Sequence, residues 1–459
     1  MVFSSLVFLF VYLPLVLVVY RICPAKWRNL VLLFFNLLFY GWGEPVYVLL
    51  MMLSVLVDYL LGLGIDRWRG KKGIARALLM ISVVWNLGLL FFFKYCNLVP
   101  LPIGISFYTF QKLSYTIDVY RGDCRGQKNF IDFSVFVTLF PQLIAGPILQ
   151  YKDLSAQLKS RVLSIGKMRE GIRIFTVGLC KKVLLANSIG TLWDTYRMQG
   201  AGTLTTLGAW IGLLAFCFQI YFDFSGYSDM AIGLGKMLGF DFKENFNYPY
   251  VSQSITEFWR RWHISLSSWF RDYLYIPLGG NRKGTARWLL NLLIVWAATG
   301  IWHGSGFNFL LWGLYYALLL IIEKLVLLKA LDKLPRVLRH AYALLFIVLG
   351  WGIFAMADMA DGKAYFAALF GMASVEAGAY GAQAGSGLWA AGDLFRMQNY
   401  GLLFAILVLA SLPLGKRWFT RLPERMRDVL EAILLLAGLL LSTAYLVDST
   451  YNPFLYFRF

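Results

Sequence analysis

Long apolar stretches separated by short polar loops run along almost the whole chain. A helix needs about 20 mainly apolar residues to span a membrane, and eleven stretches approach that length. Several of them are short, which predicts tilted, broken or re-entrant helices. The pattern predicts an all-α integral membrane protein that forms one domain over residues 1–459. The candidate spans lie near 3–20, 29–43, 46–65, 77–95, 171–193, 206–222, 288–304, 306–328, 341–357, 400–414 and 429–447.

Two central regions do not follow this pattern. Residues 96–170 and 223–287 mix aromatic residues, charges and glycines without a clean span. Irregular backbone at membrane depth is tolerated only where it lines a cavity or is buried in protein. These two regions are therefore predicted to form re-entrant and interfacial helices around a central funnel or tunnel, and residues 140–147 in particular are expected to make a re-entrant turn.

The amino-acid composition agrees with this pattern. Hydrophobic residues make up 59% of the chain and charged residues only 15%, whereas soluble domains are about 45–50% apolar and about 25% charged. A soluble domain, a disordered chain and a secreted disulfide scaffold are thereby excluded.

The five cysteines are scattered, and no cluster of His and Cys has metal-ligand spacing, so no metal site is predicted.

The net charge of +18 is high for so apolar a chain. Much of the excess lies in short loops, and short loops rich in Lys and Arg face the cytoplasm. The N-terminus and a C-terminal tail of residues 448–459 are therefore predicted to lie outside the cell. Membrane lipids and an anionic donor, rather than nucleic acid, are the expected partners of the remaining charge. The basic loops are 21–28, 67–76, 329–339 and 416–427.

Three histidines are candidates for chemistry. His303 ends an apolar run and is followed by Gly304, Ser305 and Gly306. An ionisable residue at membrane depth is a functional candidate, and a neutral imidazole suits a general base. The alternative is a structural histidine bonded to a carbonyl of a neighbouring helix. His340 closes a basic loop, where an interfacial role is expected.

The third histidine, His263, lies in a predicted amphipathic helix. Ser254 and Glu257 fit a capping box, and Pro277 stops the helix. Two interpretations remain open: an interfacial helix with snorkelling arginines, or a helix whose arginines bind the phosphates of an acyl donor. Helical spacing predicts one face with Trp259, His263, Leu266 and Phe270, and places elsewhere Arg260, Arg261, Arg271 and Asp272.

Two acidic residues, Asp223 and Asp229, lie in apolar surroundings. They are predicted to be either proton-relay acids or ion-pair partners of buried arginines. The first interpretation would suit a polysaccharide transporter or flippase that used both aspartates and His303 as a relay. Transporters commonly contain repeats with matched broken helices, and the sequence contains no such repeat.

Residues 254–280 together with Trp302-His303-Gly304 resemble the membrane-bound O-acyltransferase (MBOAT) family. Within them, residues 255–267 and 271–281 are similar to its bacterial branch, which contains the membrane subunits of alginate and peptidoglycan O-acetyltransferases. Residues 140–147 and 219–229 also fit this branch. The likeness extends from the N-terminus to the C-terminus. It implies a multi-helix fold with re-entrant and interfacial helices around a central tunnel, in the bacterial inner membrane.

The resemblance also implies an activity and its residues. His303 matches the central histidine of the family, taken as general base, and His263 matches the second, which faces the cytoplasmic funnel. The expected donor is acetyl-CoA or another cytoplasmic thioester. The expected acceptor is an extracytoplasmic cell-surface polysaccharide, reached with the help of an SGNH-type serine acetyltransferase or esterase. The residues expected to bind substrate are Trp259, Arg260, Arg261, Arg271, Asp272, Asn281 and Trp302.

The last six residues, 454–459, form a Phe-x-Tyr-x-x-Phe sequence. It resembles the tail of a small protein of the teichoic-acid D-alanylation system, whose tyrosine is thought to relay the acyl group. Tyr456 is accordingly a candidate acyl relay, and the alternative is an aromatic interfacial anchor. A D-alanyl or lipid acyltransferase of the same family is the alternative function.

Overall fold

The computed structural model describes residues 1–96, 98–199, 203–373, 387–448 and residue 455. Within these ranges the chain is helical and contains no strand. The first ten α-helices are α1 (Leu13–Ile22), α2 (Arg28–Gly41), α3 (Tyr47–Arg67), α4 (Lys72–Tyr95), α5 (Ile105–Arg121), α6 (Phe130–Thr138), α7 (Phe140–Leu143), α8 (Tyr151–Lys159), α9 (Ile165–Cys180) and α10 (Asn187–Arg197).

The remaining helices complete the bundle. They are α11 (Thr206–Met237), α12 (Ile255–Arg261), α13 (Ile264–Phe270), α14 (Thr285–His303), α15 (Phe307–Ile322), α16 (Leu328–Leu331), α17 (Arg336–Ala355), α18 (Met359–Leu369), α19 (Ala391–Ala410), α20 (Leu414–Phe419) and α21 (Glu424–Asp448). Short 3₁₀-helices occupy Ala25–Trp27 and Pro249–Val251. Wider π-helical turns occupy Phe8–Tyr12, Lys181–Ala186, Arg271–Tyr275 and Glu323–Leu327.

Seven helical segments in the described ranges are long and apolar enough to cross a membrane. They are α3, α4, α11, the segment Phe307–Leu331, α17, α19 and α21. This confirms the prediction of an all-α integral membrane protein. All eleven predicted stretches fall on helices, but those on α1, α2, α9 with α10, and α14 are too short or too polar to meet the same criteria.

Helix α11 is longer than predicted. Its predicted end near residue 222 was wrong, because the helix has 32 residues and ends at Met237. The acidic side chains that suggested an end are neutralised inside the bundle: Asp223 pairs with Lys182 at 2.5 Å and Asp229 with Lys181 at 2.6 Å. The predicted partners were arginines, whereas the observed partners are lysines of the π-helical turn after α9.

Two glycine pairs allow α9 and α11 to approach closely. A methyl group added at Gly171 or Gly233 would lie 2.7 or 2.6 Å from the carbonyl oxygen of the opposite glycine. The same is true of Gly178 and Gly226, at 2.5 and 2.7 Å. Small residues at such an interface let two backbones meet. Helix α11 is thereby held in the centre of the protein, where 72% of its spanning window is buried.

The region between α5 and α9 contains the irregular backbone that was expected. Helices α6, α7 and α8 are short, and every residue from 133 to 151 is buried. Residues 140–147 form α7 and the non-helical chain that follows it, and their re-entrant path in the membrane stays a prediction. Because these residues are surrounded by protein, their backbone is shielded from lipid.

The predicted helix from Ser254 to Pro277 is interrupted. It begins as expected, since the Ser254 side chain accepts a hydrogen bond from the Glu257 N–H at 3.0 Å, but α12 ends at Arg261. The first N–H groups of α13 turn to a neighbouring segment: Ile264 N–H donates to the Asn245 carbonyl at 3.0 Å and Ser265 N–H to Asn245 Oδ1 at 3.1 Å. Competition from Asn245 therefore breaks the helix at His263, whose φ is +44°.

The basic loops lie at one end of the bundle. Arg69 donates to the Cys124 carbonyl at 2.8 Å, and Arg121 donates to the Asp272 carbonyl at 2.9 Å. His340, at the start of α17, bonds to the Ser252 carbonyl just before α12. One basic end is what the positive-inside rule requires. The assignment of that end to the cytoplasm stays a prediction.

Candidate active site

Two cavities meet at His303. The larger of the two, called the large cavity below, has a volume of about 270 Å³ and lies between α12, α13, α14 and α15. The small cavity, of about 100 Å³, lies between the end of α4 and the start of α5. Among the described lining residues, His303 is the one that both cavities share.

The two cavities open toward opposite ends of the bundle. The large cavity is lined by Arg260, Arg271 and Lys324, which belong to the basic end. The small cavity is lined by Lys94, near the end of α4, and by residues 101–107, which follow that helix. The basic loop 67–76 lies at the start of α4, so the small cavity is at the opposite end of this helix. The side chain of His303 therefore stands where a molecule from one end and a molecule from the other end would meet.

The imidazole of His303 is enclosed by aromatic rings. The residue is 7% exposed and is the last of α14. Its ring lies 4.8 Å from that of Trp302, 5.0 Å from that of Trp312 and 5.3 Å from that of Phe354, all centroid to centroid and all nearly edge to face. This packing restricts the ring to one orientation at the boundary of the two cavities.

The end of α4 holds the end of α14 in place. Lys94 Nζ donates to the carbonyls of His303, at 2.9 Å, and of Trp302. The Tyr95 hydroxyl donates to the carbonyls of Ile301 and Gly304. The last carbonyls of a helix have no partner within the helix, and these two side chains contact three of them and the carbonyl of Gly304, which follows the helix. The single hydroxyl proton of Tyr95 is shared between its two acceptors. Lys94 and Tyr95 thus position His303.

The sequence analysis did not select Lys94 or Tyr95. One signal was present, since Lys94 is an ionisable residue inside the predicted span 77–95 and is 8% exposed. Such a residue marks a functional position in many membrane proteins. Its partners could not be found from the sequence because they lie more than 200 positions away.

Hydrogen bonds to Asn245 determine the tautomer of His263. Asn245 Oδ1 accepts from the backbone N–H and the hydroxyl of Ser265, at 3.1 and 2.9 Å, so this amide atom is an oxygen that accepts. His263 Nδ1 lies 3.2 Å from the same oxygen and must carry its proton. Nε2 then keeps its lone pair, and it has no partner in the described part of the chain. Asn245 is a residue that the sequence analysis missed.

The predicted substrate-binding residues separate into three groups. Trp259, Arg260 and Arg271 line the large cavity with both histidines, and Leu266 and Phe270 join them there. Placing the arginines away from the histidine face was therefore wrong for Arg260 and Arg271. The break at His263 reorients α13 and brings both onto the wall of one cavity.

The other predicted residues lie elsewhere. Trp302 lines the small cavity. Arg261 pairs with Glu257 at 2.9 Å on the far side of α12. Asp272 accepts from Arg271 Nε at 2.9 Å and from Gln150 at 3.2 Å, so it contacts a cavity-lining arginine rather than the large cavity itself. Asn281 is exposed in the turn before α14.

One residue of the C-terminal tail reaches the interior. The backbone N–H of Leu455 donates to Asp223 Oδ2 at 2.8 Å. The next residue of α11, Phe224, has its ring 4.7 Å from that of His263. Tyr456 itself lies outside the described residues. In the ranges that are described, no group of three or more His, Cys, Asp or Glu side chains could hold a metal ion.

Comparison with known proteins relates this arrangement to a family. The model of MBOAT, the membrane-bound O-acyltransferase family, matches residues 125–358. The chain is 40% identical to the probable alginate O-acetylase of Pseudomonas putida, over 100% of both chains. It is 42% identical to the probable alginate O-acetylase of Pseudomonas aeruginosa, over 92% of this chain and 83% of that one. It is 33% identical to the peptidoglycan O-acetyltransferase of Helicobacter pylori, over 77% of each.

These similarities agree with the resemblance found in residues 254–280 and around His303. The family model covers just over half of the chain, and the similarity to the Pseudomonas putida protein extends over its whole length. With seven helical segments fit to cross a membrane, the chain is a multi-pass membrane protein. It belongs to the membrane-bound O-acyltransferase family and is an O-acyltransferase.

Proposed function

We propose that this enzyme takes an acetyl group from a cytoplasmic thioester donor and passes it through the membrane for O-acetylation of an extracytoplasmic polysaccharide. The observation that carries the proposal is the position of His303, which lines both a cavity at the basic end and a cavity at the opposite end. The similarity to an alginate O-acetylase and to a peptidoglycan O-acetyltransferase supports a polysaccharide of the cell surface as acceptor.

The large cavity suits the reactive end of acetyl-CoA. Its volume of about 270 Å³ is slightly below the range of about 300–1,000 Å³ that is typical of small-molecule sites, so only the acyl-bearing arm would enter. Arg260, Arg271 and Lys324 line the cavity and would bind the donor's phosphates, as cationic side chains do elsewhere. Asp272 would hold the guanidinium of Arg271 through its bond to Nε.

His303 would act as the general base. It takes the proton of the acceptor hydroxyl while that oxygen attacks the thioester carbonyl carbon. The carbon–sulfur bond breaks, the new ester bond remains on the acceptor, and the leaving thiolate receives the proton from the imidazolium. His263, with a lone pair on Nε2, would serve as a second proton acceptor in the large cavity. A general base contributes typically 10²–10⁴-fold to the rate.

The acceptor brought to His303 would be the hydroxyl of Tyr456. The tail returns toward the centre at Leu455, whose N–H donates to Asp223. The next residue of α11, Phe224, packs against the ring of His263. The acetyl ester on Tyr456 would then pass to the serine of an SGNH-type partner outside the inner membrane, and from it to the polysaccharide. Both termini would face that side.

A substitution at Tyr456 tests this relay. After incubation with labelled acetyl-CoA, we expect mass spectrometry to find an acetyl group on the C-terminal peptide of the native enzyme, and Tyr456→Phe to lose both this label and polysaccharide acetylation. Tyr445→Phe is the matched control, because Tyr445 is an exposed tyrosine of α21. An unlabelled tail together with full activity in Tyr456→Phe would exclude the relay.

A donor assay tests the proposed function as a whole. The purified enzyme, reconstituted in vesicles, is expected to release a single equivalent of thiol from acetyl-CoA as Tyr456 is acetylated, and to continue releasing thiol only when a further hydroxyl acceptor is supplied. Release from a D-alanyl carrier protein but not from acetyl-CoA would instead identify a D-alanyltransferase. Label recovered in phospholipid would identify a lipid acyltransferase.

The transporter alternative receives less support. A proton relay needs carboxyl groups that are able to exchange protons along a path. Asp223 and Asp229 are each paired with a lysine, at 2.5 and 2.6 Å. Movement of intact polysaccharide across the vesicle membrane, without any acetyl transfer, would be the result that favours a transporter.

A further inference from the structure

A separate cavity of about 340 Å³ lies at the basic end, between α12 and α20. Three of its lining residues, Arg261, Lys416 and Arg417, are basic, and Asn247, Tyr248 and Thr420 add polar groups. No carboxylate is found among the described lining residues. The charge of this cavity is therefore suited to an anion.

Helix α12 separates this cavity from the active site. The consecutive residues Arg260 and Arg261 line different cavities, Arg260 the large cavity and Arg261 the one beside α20. Arg261 is held there by Glu257, at 2.9 Å, and by a bond from Nη1 to the Asn247 carbonyl at 3.1 Å. A ligand of this cavity would thus lie apart from the acyl group.

Two of the three basic side chains form no close ion pair among the described residues, although the charge of Lys416 acts on the nearby carboxylate of Glu244. In the described part of the chain, no carboxylate lies within ion-pair distance of Lys416 or Arg417. Both residues are exposed and belong to α20, which connects the spanning helices α19 and α21. Positive charge is thereby concentrated at one side of the cavity.

The apolar residues of α20 locate the cavity at the membrane surface. Leu414 and Trp418, one helical turn apart, are 52% and 60% exposed. Lys416 lies on the opposite side of this short helix and Arg417 at its flank, an arrangement that suits the membrane interface, where Trp is also enriched. The cavity therefore opens where lipid headgroups are found.

We infer that the cavity between α12 and α20 binds the phosphate group of an anionic phospholipid. A soluble phosphate compound would present the same chemistry, but the interfacial position of α20 favours the lipid. Basic pockets at the cytoplasmic side of membrane helices are suited to phospholipid headgroups, and anionic lipids are enriched in that leaflet. The inference does not depend on the acyl acceptor or on the roles of the histidines.

The double variant Lys416→Gln/Arg417→Gln tests the inference. The full-length enzyme is placed in nanodiscs of phosphatidylcholine with a small fraction of labelled phosphatidylglycerol, and the bound label is measured. Each basic residue near an anionic lipid surface changes affinity roughly fivefold, so we expect about 30-fold weaker binding in the double variant. The matched control is Lys333→Gln/Arg336→Gln, which removes two exposed basic residues from another loop of the same end and should keep native binding.

Two results would overturn the inference. Equal loss of binding in the control variant would mean that overall charge, and not this cavity, attracts the lipid. Displacement of the labelled lipid by millimolar inorganic phosphate would identify a soluble phosphate as the ligand. The assignment is supported if the native enzyme keeps the labelled lipid in the presence of phosphate and if binding is lost in Lys416→Gln/Arg417→Gln but not in the control variant. Unchanged elution and melting temperature of both variants show that the fold is intact.

Discussion

His303→Ala is expected to abolish acetyl transfer while the protein remains folded. The imidazole is the group that would remove the proton from the acceptor hydroxyl, and a general base contributes typically 10²–10⁴-fold. Because the ring lies at the boundary of both cavities, no other described side chain takes its place there. Thiol release from acetyl-CoA, measured with excess acceptor, is the direct readout.

Controls separate a chemical role from a structural one. His303→Gln keeps a polar side chain of similar size and should be as inactive as the alanine variant, which covers the case in which the alanine variant does not fold. His340→Ala removes a half-buried histidine at the basic end that lines neither cavity, and should retain activity. Native transfer rates in His303→Gln would refute the assignment of the base.

Lys94→Met is expected to have the second largest effect. The substitution removes the donor that satisfies the carbonyls of Trp302 and His303. Leaving buried carbonyls unpaired costs about 1–3 kcal/mol, so we expect a lower melting temperature. A slightly displaced His303 should also lower kcat by about tenfold or more, since misplacement of about 1 Å can cost 10²-fold. The KM for the donor should change little, because the donor cavity is formed by other helices.

The split between kcat and KM distinguishes this role from a general loss of stability. Lys94→Arg retains a hydrogen-bond donor and is expected to recover part of kcat. Lys72→Met, at the exposed opposite end of the same helix, should behave as the native enzyme. Equal decreases in kcat and in the active fraction, without recovery in Lys94→Arg, would mean that Lys94 acts only in folding.

Several properties of the protein follow from its sequence alone. The eleven apolar stretches predicted helices at the correct places, because about 20 apolar residues in a row have few stable arrangements outside a membrane helix. The basic loops predicted a single basic end, and Ser254 with Glu257 predicted the start of α12. Local chemistry decides these features, so local residues are sufficient to find them. The family resemblance rested on similarly local motifs, residues 254–280 and the segment around His303.

The tertiary structure decided the features that depend on distant partners. Helix α11 continues past Asp223 because Lys182 neutralises this carboxylate, and the helix that starts at Ser254 breaks at His263 because Asn245 binds the N–H groups of α13. Neither partner could be identified from the sequence, because arginines were expected for Asp223 and Asn245 was not among the selected residues. The cost of a charge or an open N–H group depends on whether a partner satisfies it.

The same reason applies to the site. Sequence analysis selected His303, His263 and a set of arginines by residue type, and these are among the residues that line the cavities. Only packing separates Arg260 from Arg261, brings Lys94 and Tyr95 to the end of α14 and sets the proton of His263 on Nδ1. Residue type and local spacing were sufficient to choose candidate groups. Their orientation and proton positions depend on contacts between segments far apart in the chain, which only the folded structure contains.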